Sequence, residues 1–278
     1  MKEQTSINPA FFQPSGLNDK FHGDGLSFDE YIKQTQQMIA QARVDLTPEN
    51  SDTIIAANSP YEFFPSTSQA GRKKYKRAIL VTHGLSDSPF MLKDMAHALA
   101  QHGFLVRGIL LPGHGTVPAD LLNVQYEEWE RCINYGIHSL KEVADEIYAM
   151  GFSTGGALSI LHNLTHTDLA GLILVAPALA FTTPLIPFYT HFFQYMQYFS
   201  NAFKWFPKQH QTDYAKYETF TVNAAAQVMH LMKKTCQTIQ KSSIHIPMFI
   251  VTSANDEVIS PKAAFNFFNK NKHPKREM

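Results

Sequence analysis

The chain has 278 residues, 44% hydrophobic and 17% charged, which is ample for a core and unlike a disordered or fibrous sequence. Lys+Arg and Asp+Glu balance at 24 each with no basic run, so nothing in the charge points to nucleic acid as a partner. The two cysteines, Cys132 and Cys236, make neither a disulfide framework nor a zinc motif. No signal-like start and no run of roughly 18 apolar residues is present, so the expectation is a soluble, cytoplasmic protein without stable membrane insertion.

Residues 1–26 read as an irregular lead-in. Ser27 with Glu30 forms a capping box, and Tyr31, Ile32, Thr35, Met38, Ile39 and Ala42 recur at helical spacing, which predicts one amphipathic helix in an N-terminal extension, 1–76. From residue 77 strands and helices alternate. AILVTHG reads as a buried strand, SPFMLKDMAHALAQHG as a helix stopped at Gly103, and FLVRGILLPGHG as a strand. EEWERCINYGIHSLKEVADE reads as a long helix, IYAMGFS as a strand, TGGALSILHNLTH as a helix and LAGLILVAPAL as a strand. Near-continuous apolar strands separated by helices predict an α/β fold, a mostly parallel sheet covered on both faces. Residues 181–220 interrupt the rhythm with 14 of the chain's 34 aromatic residues (21 Phe, 11 Tyr, 2 Trp). The pattern resumes with a helix near Ala224–Ile239, the strand IPMFIVTS and the helix PKAAFNFFNKN. The core is therefore expected at 77–180 and 221–278, with 181–220 inserted into one sheet.

Three segments carry chemistry. Gly151-Phe152-Ser153-Thr154-Gly155 fits G-x-S-x-G where an apolar strand meets a helix. A serine on such a turn stands clear of the sheet at the positive end of the helix, as a nucleophile requires. His83-Gly84-Leu85 follows the first core strand, where the amide of Leu85 can join that of Thr154 as an oxyanion hole. His83 is read as shaping that turn, since a general base should follow the acid in chain order. Beyond IPMFIVTS the chain carries Asp256 and Glu257, either of which stands where an acid could orient a histidine.

HGLSDSP, LPGHGTVPADL, Trp129 and GFSTGG together resemble the bacterial carboxylesterases and monoacylglycerol-lipase-like serine hydrolases of the α/β-hydrolase superfamily, over residues 78–180 and again at 246–272. The resemblance implies ester hydrolysis through an acyl-enzyme, with no metal or cofactor and a small-molecule ester as substrate. It selects Asp256 as the acid, makes 181–220 a cap over the acyl pocket, and sets the Pro112–Gly115 turn at that pocket's rim with His114 non-catalytic. The aromatic block would then serve as pocket wall, as the cap's own core, or as an exposed face touching lipid.

The base is the departure from the pattern. Of the 13 histidines only His273 follows Asp256, at the close of the last predicted helix. Similar enzymes carry a further strand there and the histidine after it. The expectation is that residues 275–278 begin that strand, that the last strand is missing, and that the base lies beyond residue 278. Other chemistries on this fold, a thioesterase, an acyltransferase, a C–C hydrolase or a non-catalytic ligand binder, are the alternatives. Acyl length and oligomeric state are not encoded in any motif.

Overall fold

In the computed structural model, residues 8–66, 73–207, 210–271 and 273–278 are described. Ser27 caps α1 (Phe28–Ala42), its side chain accepting from the Glu30 amide while the Glu30 carboxylate accepts from the Ser27 amide, as the capping box requires. A second helix, α2 (Ser51–Asn58), and a short strand, β1 (Tyr61–Phe63), follow. Neither has the periodicity or length to announce itself in the sequence, which is why the extension was read as holding one helix.

The body comprises β2 (Tyr75–Thr82), α3 (Lys93–Gln101), β3 (Leu105–Ile109), α4 (Tyr126–Lys141), β4 (Ala144–Phe152), α5 (Thr154–Thr165) and β5 (Gly171–Val175). After it come α6 (Leu185–Met196), α7 (Val222–Lys241), β6 (Met248–Val251), α8 (Pro261–Lys270) and β7 (Arg276–Glu277). The seven strands lie in the order β1-β3-β2-β4-β5-β6-β7. All neighbours are parallel except β1, which runs antiparallel along β3. Strand β3 is buried along its whole length and β2 from Ala78 onward because helices cover both sides of the sheet. One continuous core joins Leu80, Trp129, Leu158, Leu174 and Ile250 to Phe28 and Tyr31 of α1.

One helix boundary needs correction. The helix read through Glu146 ends at Lys141: Val143 N–H turns back to the Leu140 carbonyl, and Ala144 then pairs with Tyr75 in β2. Sheet pairing overrides the helix propensity of Ala-Asp-Glu. Residues 275–278 begin a last strand, as expected: Arg276 and Glu277 pair with Met248 and Phe249 of β6. No helix among the described residues is long and apolar enough to cross a membrane.

The aromatic insertion divides into two faces. Phe193 meets Phe203 and Phe206 at ring-centroid distances of 5.8 and 5.9 Å, and Phe206 meets Phe220 at 5.2 Å. Phe188, Phe192, Tyr195, Tyr198 and Phe199 are exposed instead. Antiparallel bridges Phe181–Ile259 and Trp205–Thr221 tie the insertion to the body at both ends.

Candidate active site

Ser153 follows the last residue of β4 and precedes the first residue of α5, with φ +50° and ψ −108°. Only strong local constraint holds a non-glycine residue there. The Ser153 amide donates to the Val175 carbonyl at 2.9 Å, and its own carbonyl accepts from Ala157 and Ala178. The two motif glycines make the turn sterically possible. A Cβ on Gly151 would stand 2.3 Å from the Gly155 backbone, and one on Gly155 would stand 2.3 Å from the Thr82 carbonyl. Strand β2, the elbow and α5 are thus in backbone contact, and α5 directs its N-terminus toward Ser153.

Leu85 lies in the turn after β2, and this turn is held from several sides. His83 is buried, its Nδ1 2.8 Å from the Gly84 carbonyl and its Nε2 accepting from the Leu111 amide at 3.1 Å. Both ring nitrogens are occupied, one within the turn and one by the segment that follows β3. Burial, and then the neighbouring His114 ring, keep its imidazole well below the usual histidine range. His114 is fully buried and faces only carbonyl oxygens, those of Leu111 and Pro112 through Nδ1 and that of Leu85 through Nε2. Burial lowers its pKa even though these carbonyls favour its proton. The Tyr217 amide donates to the Ser86 carbonyl at 2.7 Å, so the end of the insertion also braces this loop. Trp129 is fully buried and donates Nε1–H to the Pro112 carbonyl at 3.0 Å.

Asp256 stands in the loop after β6, a strand that lies two places, roughly 10 Å, from β4. Its Oδ1 accepts from the amides of Val258 and Ile259 at 2.9 and 2.8 Å. Its carbonyl accepts from the Thr182 hydroxyl at 3.0 Å, and Thr182 N–H donates to the Val258 carbonyl. The start of the insertion therefore clasps the Asp256 loop. Glu257 is exposed beside it. Ser260, not Asp256, caps α8.

The sheet register settles where His273 stands. Arg276 is level with Met248, Leu172 and Ala149, four residues short of Ser153. Three strands across and four residues along put Arg276 roughly 20 Å from the serine, and His273 precedes it, toward the opposite edge of the sheet. Its Nδ1 accepts from the Lys275 amide at 3.1 Å. Among the described residues no histidine is hydrogen-bonded to Ser153 or Asp256. The structure thus brings Ser153, Thr154, Leu85 and Asp256 to the C-terminal edge of the strands and separates His273 from them. Sequence reasoning missed the bond from His114 to the Leu85 carbonyl and the clasp from Thr182, neither of which has a spacing signature.

A parallel sheet with this strand order, an antiparallel first strand and a strained serine between strand and helix defines an α/β-hydrolase fold. Residues 73–278 match the family model described as serine aminopeptidase, S33, and the chain belongs to that family. It is 30% identical over 95 residues to a thermostable monoacylglycerol lipase of Bacillus sp. (strain H-257), spanning 34% of this chain and 38% of the lipase. It is 22% identical over 207 residues to a carboxylesterase of Bacillus subtilis (strain 168), spanning 74% of this chain and 81% of that enzyme. A solved structure from work on the metagenome-derived lipolytic enzymes LipS and LipT superposes with a TM-score of 0.66 at 21% identity, covering 80% of this chain and 86% of that one.

Proposed function

We propose that the protein hydrolyses carboxylic esters, short or medium acyl esters or monoacylglycerols, through a serine acyl-enzyme. The observation that carries this reading is the strained backbone of Ser153 at the head of α5. The likeness to a carboxylesterase and a monoacylglycerol lipase supports the substrate class. Ser153 Oγ attacks the ester carbonyl while a histidine takes its proton, and the amides of Leu85 and Thr154 receive the charge that develops on the carbonyl oxygen. Each such donor contributes roughly 10²–10³ in rate. The C–O bond then breaks, and the alcohol leaves with the proton. Water, deprotonated by the same histidine, releases the acid. Asp256 orients the histidine. The insertion 181–220 caps the acyl side. The free thiols of Cys132 and Cys236 support a cytoplasmic setting.

The test is intact mass after exposure to a fluorophosphonate. One adduct is expected, lost in Ser153→Ala. His273→Ala should not change the labelling rate, because His273 stands at the far end of the strands from Ser153. An adduct elsewhere overturns the nucleophile, and rapid labelling abolished by His273→Ala overturns the base. Turnover of p-nitrophenyl decanoate without turnover of an aminoacyl p-nitroanilide separates an esterase from a peptidase.

A further inference from the structure

A cleft of about 470 Å³, not lined by Ser153, lies between the segment 16–26 and α1. Its size falls within the ~300–1,000 Å³ usual for small-molecule sites. Phe21, Tyr31, Met38, Leu110 and Pro112 give it apolar lining. α1 contributes the exposed Gln34, Gln37 and Gln41 at one-turn spacing, and the segment 16–26 contributes the exposed Lys20 and His22. No aspartate or glutamate lines it among the described residues, and Asp24 on the same segment is paired with Arg131 instead. Thr35, 7% exposed, also lines the cleft. An apolar trough whose rim offers amide donors and an ammonium but no carboxylate matches an amphiphile with an anionic head.

We infer that this cleft is a second binding site, separate from Ser153, for a fatty carboxylate. The choice of ligand rests on the ester-hydrolase reading, since the acid released there is such a molecule, whereas the cleft's chemistry stands without it. Its inner wall adjoins the candidate active site. The Asn18 carbonyl accepts from the Gly113 amide at 2.6 Å, and Asn18 Nδ2 donates to the His114 carbonyl at 2.7 Å. His114 in turn holds the Leu85 carbonyl. The bound acid therefore rests against the same turn that positions the proposed oxyanion loop.

Calorimetric titration with decanoate tests the site and requires no turnover. In Ser153→Phe, which fills the acyl side, one equivalent is expected to bind. The double variant Gln34→Glu/Gln37→Glu keeps the shape of two exposed side chains and adds two carboxylates, so affinity should fall at least tenfold. Thr35→Trp should abolish binding by filling the cleft, with circular dichroism confirming the fold. Decanol, equal in chain length but uncharged, should bind at least tenfold more weakly. Binding that is unaffected by the glutamate pair, or lost only in Ser153→Phe, or absent at millimolar decanoate, overturns the inference. Decanol binding as tightly as decanoate overturns the anionic class. Because every arm is a binding measurement, failure of the esterase reading would leave these results interpretable.

Discussion

At the residue scale, the elbow is built from excluded volume. The Gly155 position would bring a Cβ to 2.3 Å from the Thr82 carbonyl, a backbone atom that cannot swing aside. Gly155→Ala should therefore separate β2 from α5, at about 1–3 kcal/mol by analogy with overpacked cores, and abolish fluorophosphonate labelling. Urea unfolding and intact mass read both effects, and a variant that remains fully stable and labelled would contradict the geometry. The buried histidines carry a pH prediction. His83, His114 and His162 all have pKa values lowered by burial. As pH falls through about 6.5, the unfolded chain takes up protons that the fold excludes, so stability is present above that value and lost below it. Asp87 and Asp120, raised by burial, act with the opposite sign, favouring the fold toward acid pH. The thermal midpoint should drop from pH 7.5 to 5.5, and the drop should be smaller in His114→Gln. An equal drop in the variant would remove His114 as a contributor.

At the element scale, α6 shows how one run of aromatics serves two environments. Phe193 packs among Phe203 and Phe206, whereas Tyr198, just past the helix, is 84% exposed. Phe193→Ala should lower stability by about 1–3 kcal/mol, below the full cost for a completely buried ring, and Tyr198→Ala should stay within about 0.5 kcal/mol. Chemical denaturation of the two variants decides whether the inner rings form a genuine small core. The sequence located this block but could not assign its faces, because nearly every side of the helix is apolar or aromatic. The start of β4 was illegible for a different reason. Ala144, Asp145 and Glu146 lack strand character, and pairing of Ala144 with Tyr75 and Glu146 with Arg77 supplies what propensity does not.

At the scale of the whole molecule, the N-terminal segment is part of the same core as the sheet. Arg107 on β3 pairs with Glu62 on β1 at 2.7 Å, donates to the Ser139 carbonyl of α4, and lies 4.4 Å from the Phe28 ring centroid of α1. Both partners of the ion pair are about nine-tenths buried. Arg107→Met should cost about 3 kcal/mol by stranding a shielded carboxylate. With the segment so tied down, far-UV and near-UV signals should unfold in one coincident transition. A separate early transition would show that residues before β2 are an appended unit.

Local sequence determined what local geometry can carry. The capping box of α1, the apolar strands and the Gly151–Gly155 elbow each depend on side chains a few residues apart, and so does the order in which Ser153 and Asp256 occur. Tertiary structure decided what depends on distant segments meeting. His114 reaches the Leu85 carbonyl, Thr182 clasps Asp256, Glu62 meets Arg107, and α1 with the segment 16–26 forms a cleft that no motif announces. It also placed His273, since only the parallel register of β6 and β7 puts a histidine close behind Asp256 in sequence on the far edge of the sheet. Spacing along the chain fixes what a short peptide can form, whereas the side of the sheet on which a residue emerges depends on how strands pair.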